Sequence, residues 1–183
     1  YMLFDRHRAA PPPEVFARIK YDTPNVSGRM DNLRAAILRP QLADLDRQCA
    51  RWNALHAAVD AGLADTPGLA RIDRPEGEGF VASSYQFLLL DWSGPAIEEV
   101  LARCARRGVE LKWFGAAEPQ GFTSRYDSWH YAPSDPMPAS DRVLRGIVDM
   151  RLPLTFTPED CAQIARIIRA EVGAVWQAGV AAQ

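Results

Sequence analysis

Between Met30 and Ala64, apolar side chains recur every three to five positions: Met30, Leu33, Ile37, Leu42, Leu45, Cys49, Trp52, Leu55, Val59 and Leu63. That spacing predicts a long helix with one apolar stripe. Ser27 or Gly28 would cap its start, and Asp31 in the first turn suits the helix dipole. Pro40 lies inside the run. An interior proline removes a backbone hydrogen bond and costs roughly 3 kcal/mol. The pattern therefore predicts two helices or one kinked helix, broken near Leu38–Arg39. Gly62, Pro67 and Gly68 end the run.

Further along, the period changes. Phe80 to Trp92 carries β-prone bulk at Tyr85, Phe87 and Leu88–Leu90 and predicts a strand. Ser93-Gly94-Pro95 opens a helix whose stripe is Ile97, Val100, Leu101 and Cys104, and Gly108 stops it. Val109–Phe114 predicts a second strand, residues 115–138 a long aromatic loop, and Asp141–Val148 a short helix capped by Ser140. Arg151–Phe156 predicts a third strand. Thr157-Pro158-Glu159-Asp160 is a strong helix start: cap, proline at the first position, then acids. Helices and short strands in this order predict an α+β fold, a small three-stranded sheet with helices packed on it. Residues 1–28 read as the end of another segment plus a loop, 29–64 as the connecting helix or helix pair, and 65–183 as a small α+β domain.

Composition narrows the function. With 48% hydrophobic residues the chain can build a sizeable core. A net charge of −2 argues against a nucleic-acid partner, which favours a basic footprint. Cys49, Cys104 and Cys161 are far apart, with no C-x-x-C pair, so buried free thiols are expected and no zinc site is indicated. No apolar run approaches the ~20 residues of a membrane span, and no secretory leader is visible, so a cytoplasmic protein is expected. The chain opens Tyr1-Met2, which reads as a fragment or processed product. Phosphate-binding and hydrolase motifs such as G-x-x-x-x-G-K-[ST] and G-x-S-x-G are missing.

Arg29-Met30-Asp31-Asn32-Leu33-Arg34-Ala35-Ala36-Ile37 resembles the R-M-x-x-L-x-A-A-I run of the DegT/DnrJ/EryC1/StrS family of aminotransferases. Arg106-Arg107-Gly108-Val109 resembles the family's R-G-I/V step into a strand. Leu152-Pro153-Leu154 and Thr157–Asp160 resemble its closing L-P-L and T-x-E-D elements. The resemblance implies the small domain of a fold-type I enzyme using pyridoxal 5'-phosphate. It implies transfer of an amino group from an amino-acid donor to a keto sugar or related carbonyl substrate, in a homodimer. A dehydratase of the same family and a non-catalytic dimerisation or interaction module are the alternatives.

The family's Schiff-base lysine lies upstream of this signature. Lysine occurs here only at Lys20 and Lys112, and neither matches that place. The resemblance therefore implies that this chain alone does not transaminate, and that an N-terminal half is missing or comes from another chain. It further implies that the loop before Arg29-Met30 reaches across the dimer, forming a wall of the partner's active site. There Ser27 stands at the family's asparagine position, and Ser27 or Asn25 would bond the cofactor phosphate. On the residues alone both could simply cap the helix and the turn. Arg29 would face substrate, or form an intersubunit salt bridge. Trp113, Arg125 and His130 stand in the aromatic stretch that borders substrate in the family; the alternative is an aromatic core under a long loop.

Overall fold

The computed structural model describes residues 12–24, 30–118 and 125–181. Three helices come before any strand: α1 (Pro13–Asp22), α2 (Asn32–Ala43) and α3 (Leu45–Leu63). α1 was not expected. It begins after Pro11–Pro12, because proline suits a first turn as well as it breaks an interior. Asp31, and not Ser27 or Gly28, caps α2: its Oδ1 accepts the Arg34 N–H at 2.8 Å. The break between α2 and α3 falls at Asp44, beyond Pro40, which α2 absorbs. Asp44 has left helical geometry, and its carboxylate accepts from Arg47 Nε at 2.7 Å and Gln48 Nε2 at 2.9 Å. Those bonds fix the joint where the proline does not.

The apolar stripe is only half used. Leu55, Val59 and Leu63 of α3 are buried, while Met30, Leu33, Ile37, Leu38, Leu42 and Leu45 are all exposed and α2 buries no residue at all.

The sheet has four antiparallel strands where three were expected: β1 (Ala70–Arg71), β2 (Ser84–Leu88), β3 (Lys112–Trp113) and β4 (Ile147–Arg151), in the order β1-β2-β4-β3. Two-residue strands such as β1 carry no readable period. β4 replaces the expected strand at Arg151–Phe156. Its Val148 and Met150 are buried while Asp149 between them is not, a period of two that the preceding helix masks. That helix, α5 (Pro138–Gly146), starts earlier than expected, after Met137.

One sheet face, made by Tyr85, Phe87, Trp113, Val148 and Met150, forms the core with α3, α4 (Gly94–Arg106) and α6 (Pro158–Ala181). α4 supplies Ile97, Val100 and Cys104; α6 supplies Cys161, Ala165, Ile168 and Val172. The opposite face stays more polar, with Gln86 Nε2 donating to Asp149 Oδ1 at 3.2 Å. α6 starts as expected: Thr157 Oγ1 accepts the Asp160 N–H at 3.2 Å, and Asp160 Oδ2 accepts the Thr157 N–H at 2.9 Å.

Two contacts lock the helices. α3 crosses α6 at Gly62, where a Cβ would stand 2.5 Å from the Ala165 Cβ. Glu171 of α6, nearly buried, accepts from Arg103 Nε at 2.6 Å and Arg107 Nη1 at 2.8 Å, tying α6 to α4. Cys104 and Cys161 are buried free thiols and Cys49 is half-buried. Among the described residues no helix is long and apolar enough to cross a membrane, and no cluster suits a metal ion.

Candidate functional site

A cleft of about 660 Å³ opens where β3 ends, between the N-termini of α4 and α5. Trp113, Phe114 and Tyr126 give it aromatic walls. Trp113 is itself nearly buried, and its Nε1 donates to the Arg145 carbonyl at 2.8 Å. Gly115 makes that seam possible. A Cβ there would stand 2.8 Å from Arg145 Cα and 2.9 Å from its carbonyl oxygen, so only glycine lets the chain turn against α5. The chain returns at a 3₁₀ turn, Tyr126–Ser128. The Tyr126 hydroxyl donates to Asp141 Oδ1 at 2.9 Å and accepts the Met137 N–H at 3.2 Å, which fastens the turn to the start of α5. That bond to Asp141 holds the Tyr126 phenol above its ordinary pKa.

The cleft continues into a shallower one that shares Ala117, Arg125 and Asp127 with it and adds Tyr21, Glu118 and His130. Trp113, Arg125 and His130 therefore lie along one connected depression, each engaged. Arg125 pairs with Asp127 through both ends of its fork, Nε to Oδ1 at 2.9 Å and Nη2 to Oδ2. The bond to Arg125 lowers the Asp127 pKa, so both stay charged near neutrality. His130 Nδ1 lies 2.7 Å from Asp22 Oδ1, and its backbone N–H donates to the Tyr21 carbonyl at 2.9 Å. α1 is thus stapled to the far end of the depression. Asn25, Ser27 and Arg29 lie outside the described residues.

Sequence reasoning missed several residues of the cleft. In the sequence Asp141 reads only as the first residue of a short helix, and Glu98 lies on the exposed side of α4. Neither has a motif around it. Asp127, two residues from Arg125, was the one visible signal, since that spacing can close a side-chain pair.

Known proteins bear on this arrangement. The model of the DegT/DnrJ/EryC1/StrS aminotransferase family matches residues 7–169. The chain belongs to that family.

Solved structures agree with the family on the fold. Aminotransferase TlmJ from Streptoalloteichus hindustanus is 18% identical, with a TM-score of 0.64 over 84% of this chain and 40% of its own. The 3-amino-5-hydroxybenzoic acid synthase is 19% identical, with a TM-score of 0.60 over 88% of this chain and 46% of its own. A DegT DnrJ EryC1 StrS aminotransferase from Brucella abortus is 16% identical, with a TM-score of 0.61 over 84% and 41%. The chain thus spans less than half the length of each. No curated protein sequence matches.

Members of the DegT/DnrJ/EryC1/StrS family use pyridoxal phosphate, and Lys112 is the lysine whose side chain the structure describes. Lys112 Nζ sits 4.6 Å over the Phe114 ring. Lys112 lines a different cleft at the sheet's edge and not the aromatic one. Its cross-strand neighbour Asp149 already accepts from Gln86. The side chain of Lys20 is not described.

Proposed function

We propose that this chain is the C-terminal region of a pyridoxal-phosphate-dependent aminotransferase. The enzyme would move an amino group from an amino-acid donor to a keto sugar or related carbonyl compound. The observation that carries this reading is the family match across residues 7–169. The aromatic cleft beside α5 supports it, because Trp113, Phe114 and Tyr126 line it with ring faces that suit a cyclic substrate. The lysine that holds the cofactor then comes from outside the described residues.

In this reading the enzyme is a homodimer. Ser27 or Asn25 contacts the cofactor phosphate and Arg29 faces the substrate, at the wall one subunit lends the other. A serine hydroxyl can donate one such bond, and a guanidinium can hold a carboxylate or phosphate by two. Trp113, Arg125 and His130 border the substrate, Trp113 by its ring and the other two by shaping the rim. The exposed apolar side chains of α2 support docking against the rest of the enzyme.

The test is absorption spectroscopy of the full-length protein with pyridoxal phosphate. The protein-bound cofactor should give its visible band, and an amino-acid donor should bleach it. No band, in protein whose upstream half is intact, overturns the reading. The exposed α2 also favours a second reading, a non-catalytic interaction module. Sedimentation equilibrium with and without the cofactor separates them: a module self-associates identically in both and gives no band.

A further inference from the structure

The chain between β1 and β2, residues 72–83, runs as an irregular strap against α3. Three α3 residues on one flank of the helix, Asn53, His56 and Asp60, hold it and the strands at its ends. Asn53 Nδ2 donates to the Phe80 carbonyl at 3.0 Å, and Asn53 Oδ1 accepts the Ala82 N–H at 3.1 Å. Asp60 Oδ1 accepts the Tyr85 hydroxyl at 2.8 Å, and its Oδ2 accepts from Arg71 Nη1 at 2.6 Å. The half-buried His56 imidazole stands between these anchors. It meets the Phe80 ring edge to face at 5.3 Å and lies 4.8 Å from the Tyr85 ring. On the strap itself, the Arg74 guanidinium sits 3.6 Å over Phe80 and Nη1 reaches Glu78 Oε1 at 3.4 Å.

A neutral imidazole suits this place better than an imidazolium. Rings on two sides keep water from His56, which penalises its charged form. From α3, Asp60 would attract that charge, but each of its oxygens already accepts a bond. From the strap, Arg74 repels it, while Glu78 is paired with Arg74. From β1, Arg71 is paired with Asp60. From β2, the Tyr85 hydroxyl is uncharged, held above its ordinary pKa by burial and then by the bond to Asp60. Burial is the largest influence and keeps the His56 pKa below its ordinary value; Asp60 opposes it and Arg74 adds to it.

We propose that residues 72–83 form a latch that protonation of His56 releases. The uncharged ring keeps Phe80 on α3, and acid lets the strap open while the sheet stays folded. None of these residues lines the aromatic cleft, so the latch acts apart from it. An open strap returns His56 to water and to its ordinary value near 6.5. The closed form is therefore fully favoured above that value. Its advantage falls as the pH drops below it toward the lower value of the closed state.

The test is amide hydrogen exchange of the full-length protein, read by mass spectrometry at about pH 7.5 and about pH 5.5, either side of the ordinary histidine value. Rates are corrected for the intrinsic pH dependence of exchange. The opening constant of peptides within 72–83 should rise at least about twofold on acidification. It should also exceed that of the β4 peptide, residues 147–151, by at least about tenfold at both pH values, as a local opening does. His56→Phe keeps a ring against Phe80 and Tyr85 but cannot titrate, so the rise should vanish. His56→Gln should abolish it as well, with a looser strap at both pH values. Asn53→Ala should open the strap more at both pH values and leave their ratio unchanged. No rise in the wild type, a rise that persists in both His56 variants, or equal opening of strap and β4 overturns the proposal.

Discussion

Replacing Gly62 with alanine should push α3 and α6 apart. The added Cβ would stand 2.5 Å from the Ala165 Cβ, where carbon atoms prefer roughly 3.5–4.0 Å. Ala165 is fully buried and cannot move aside. Overpacking of this kind costs about 1–3 kcal/mol. Alanine recovers at most about 1 kcal/mol of helix propensity, and less at Gly62, one residue from the end of α3. The net expectation is a loss of about 1–2 kcal/mol. Ala165→Gly alone should also destabilise, by about 2 kcal/mol, through propensity and a lost buried methyl. The pair together moves the methyl across the same gap. The double variant should therefore be more stable than the summed single losses, by about 1–2 kcal/mol. Urea denaturation followed by circular dichroism measures all four proteins. If Gly62→Ala raises the midpoint, or the single losses simply add, the close crossing does not govern this helix pair.

Other expectations follow from the same contacts. Gly115→Ala meets backbone and not a flexible side chain, so it should cost about 1–3 kcal/mol and shift the Trp113 indole N–H signal in ¹⁵N NMR. Glu171→Gln should lower stability at neutral pH by about 2 kcal/mol, through its two charged hydrogen bonds. Arg107 and then Arg103 hold the Glu171 pKa below its ordinary value. Its contribution is therefore complete above the unfolded value near 4.3 and lost as pH falls through the lower folded one; thermal melts of wild type and variant should converge there. Cys104 is pushed up to about 11 by burial, so it should resist a thiol reagent at pH 8 in the folded chain. The stability it contributes is intact below the unfolded thiol's pKa near 8.5 and lost as pH rises toward about 11. A modification count above one per folded chain that includes Cys104 would contradict its burial.

The helix starts at Ser93 and Thr157 were legible because a cap, a proline and the stripe after them all point one way. So were Leu55, Val59 and Leu63, and the family itself, since ordered motifs survive without knowledge of the fold. β4 was not legible: Gly146 ends α5 and Ile147 begins the strand with no loop between them, so two periods run together. Pro40 misled, because its local cost is real but Asp44 offers a better joint. The cleft was half legible. Its aromatic residues were visible as a group, yet Asp141 and Glu98 reach it only because β3 ends beside two helix starts. The pairing that occupies Arg125 could not be told from a free guanidinium by sequence.

α2 buries none of its residues against the described part of the chain. Its exposed apolar side chains fall along two flanks of the helix: Leu33 and Ile37 on one, Leu38 and Leu42 on the other, with Arg34 and Gln41 between them. A helix this short gains little from propensity alone. Its folding is therefore a measure of whatever surface it rests against. Amide hydrogen exchange across residues 32–43 should be fast in the chain by itself and slow in any assembly that contains it, which turns one segment into a gauge of whether the enzyme is whole.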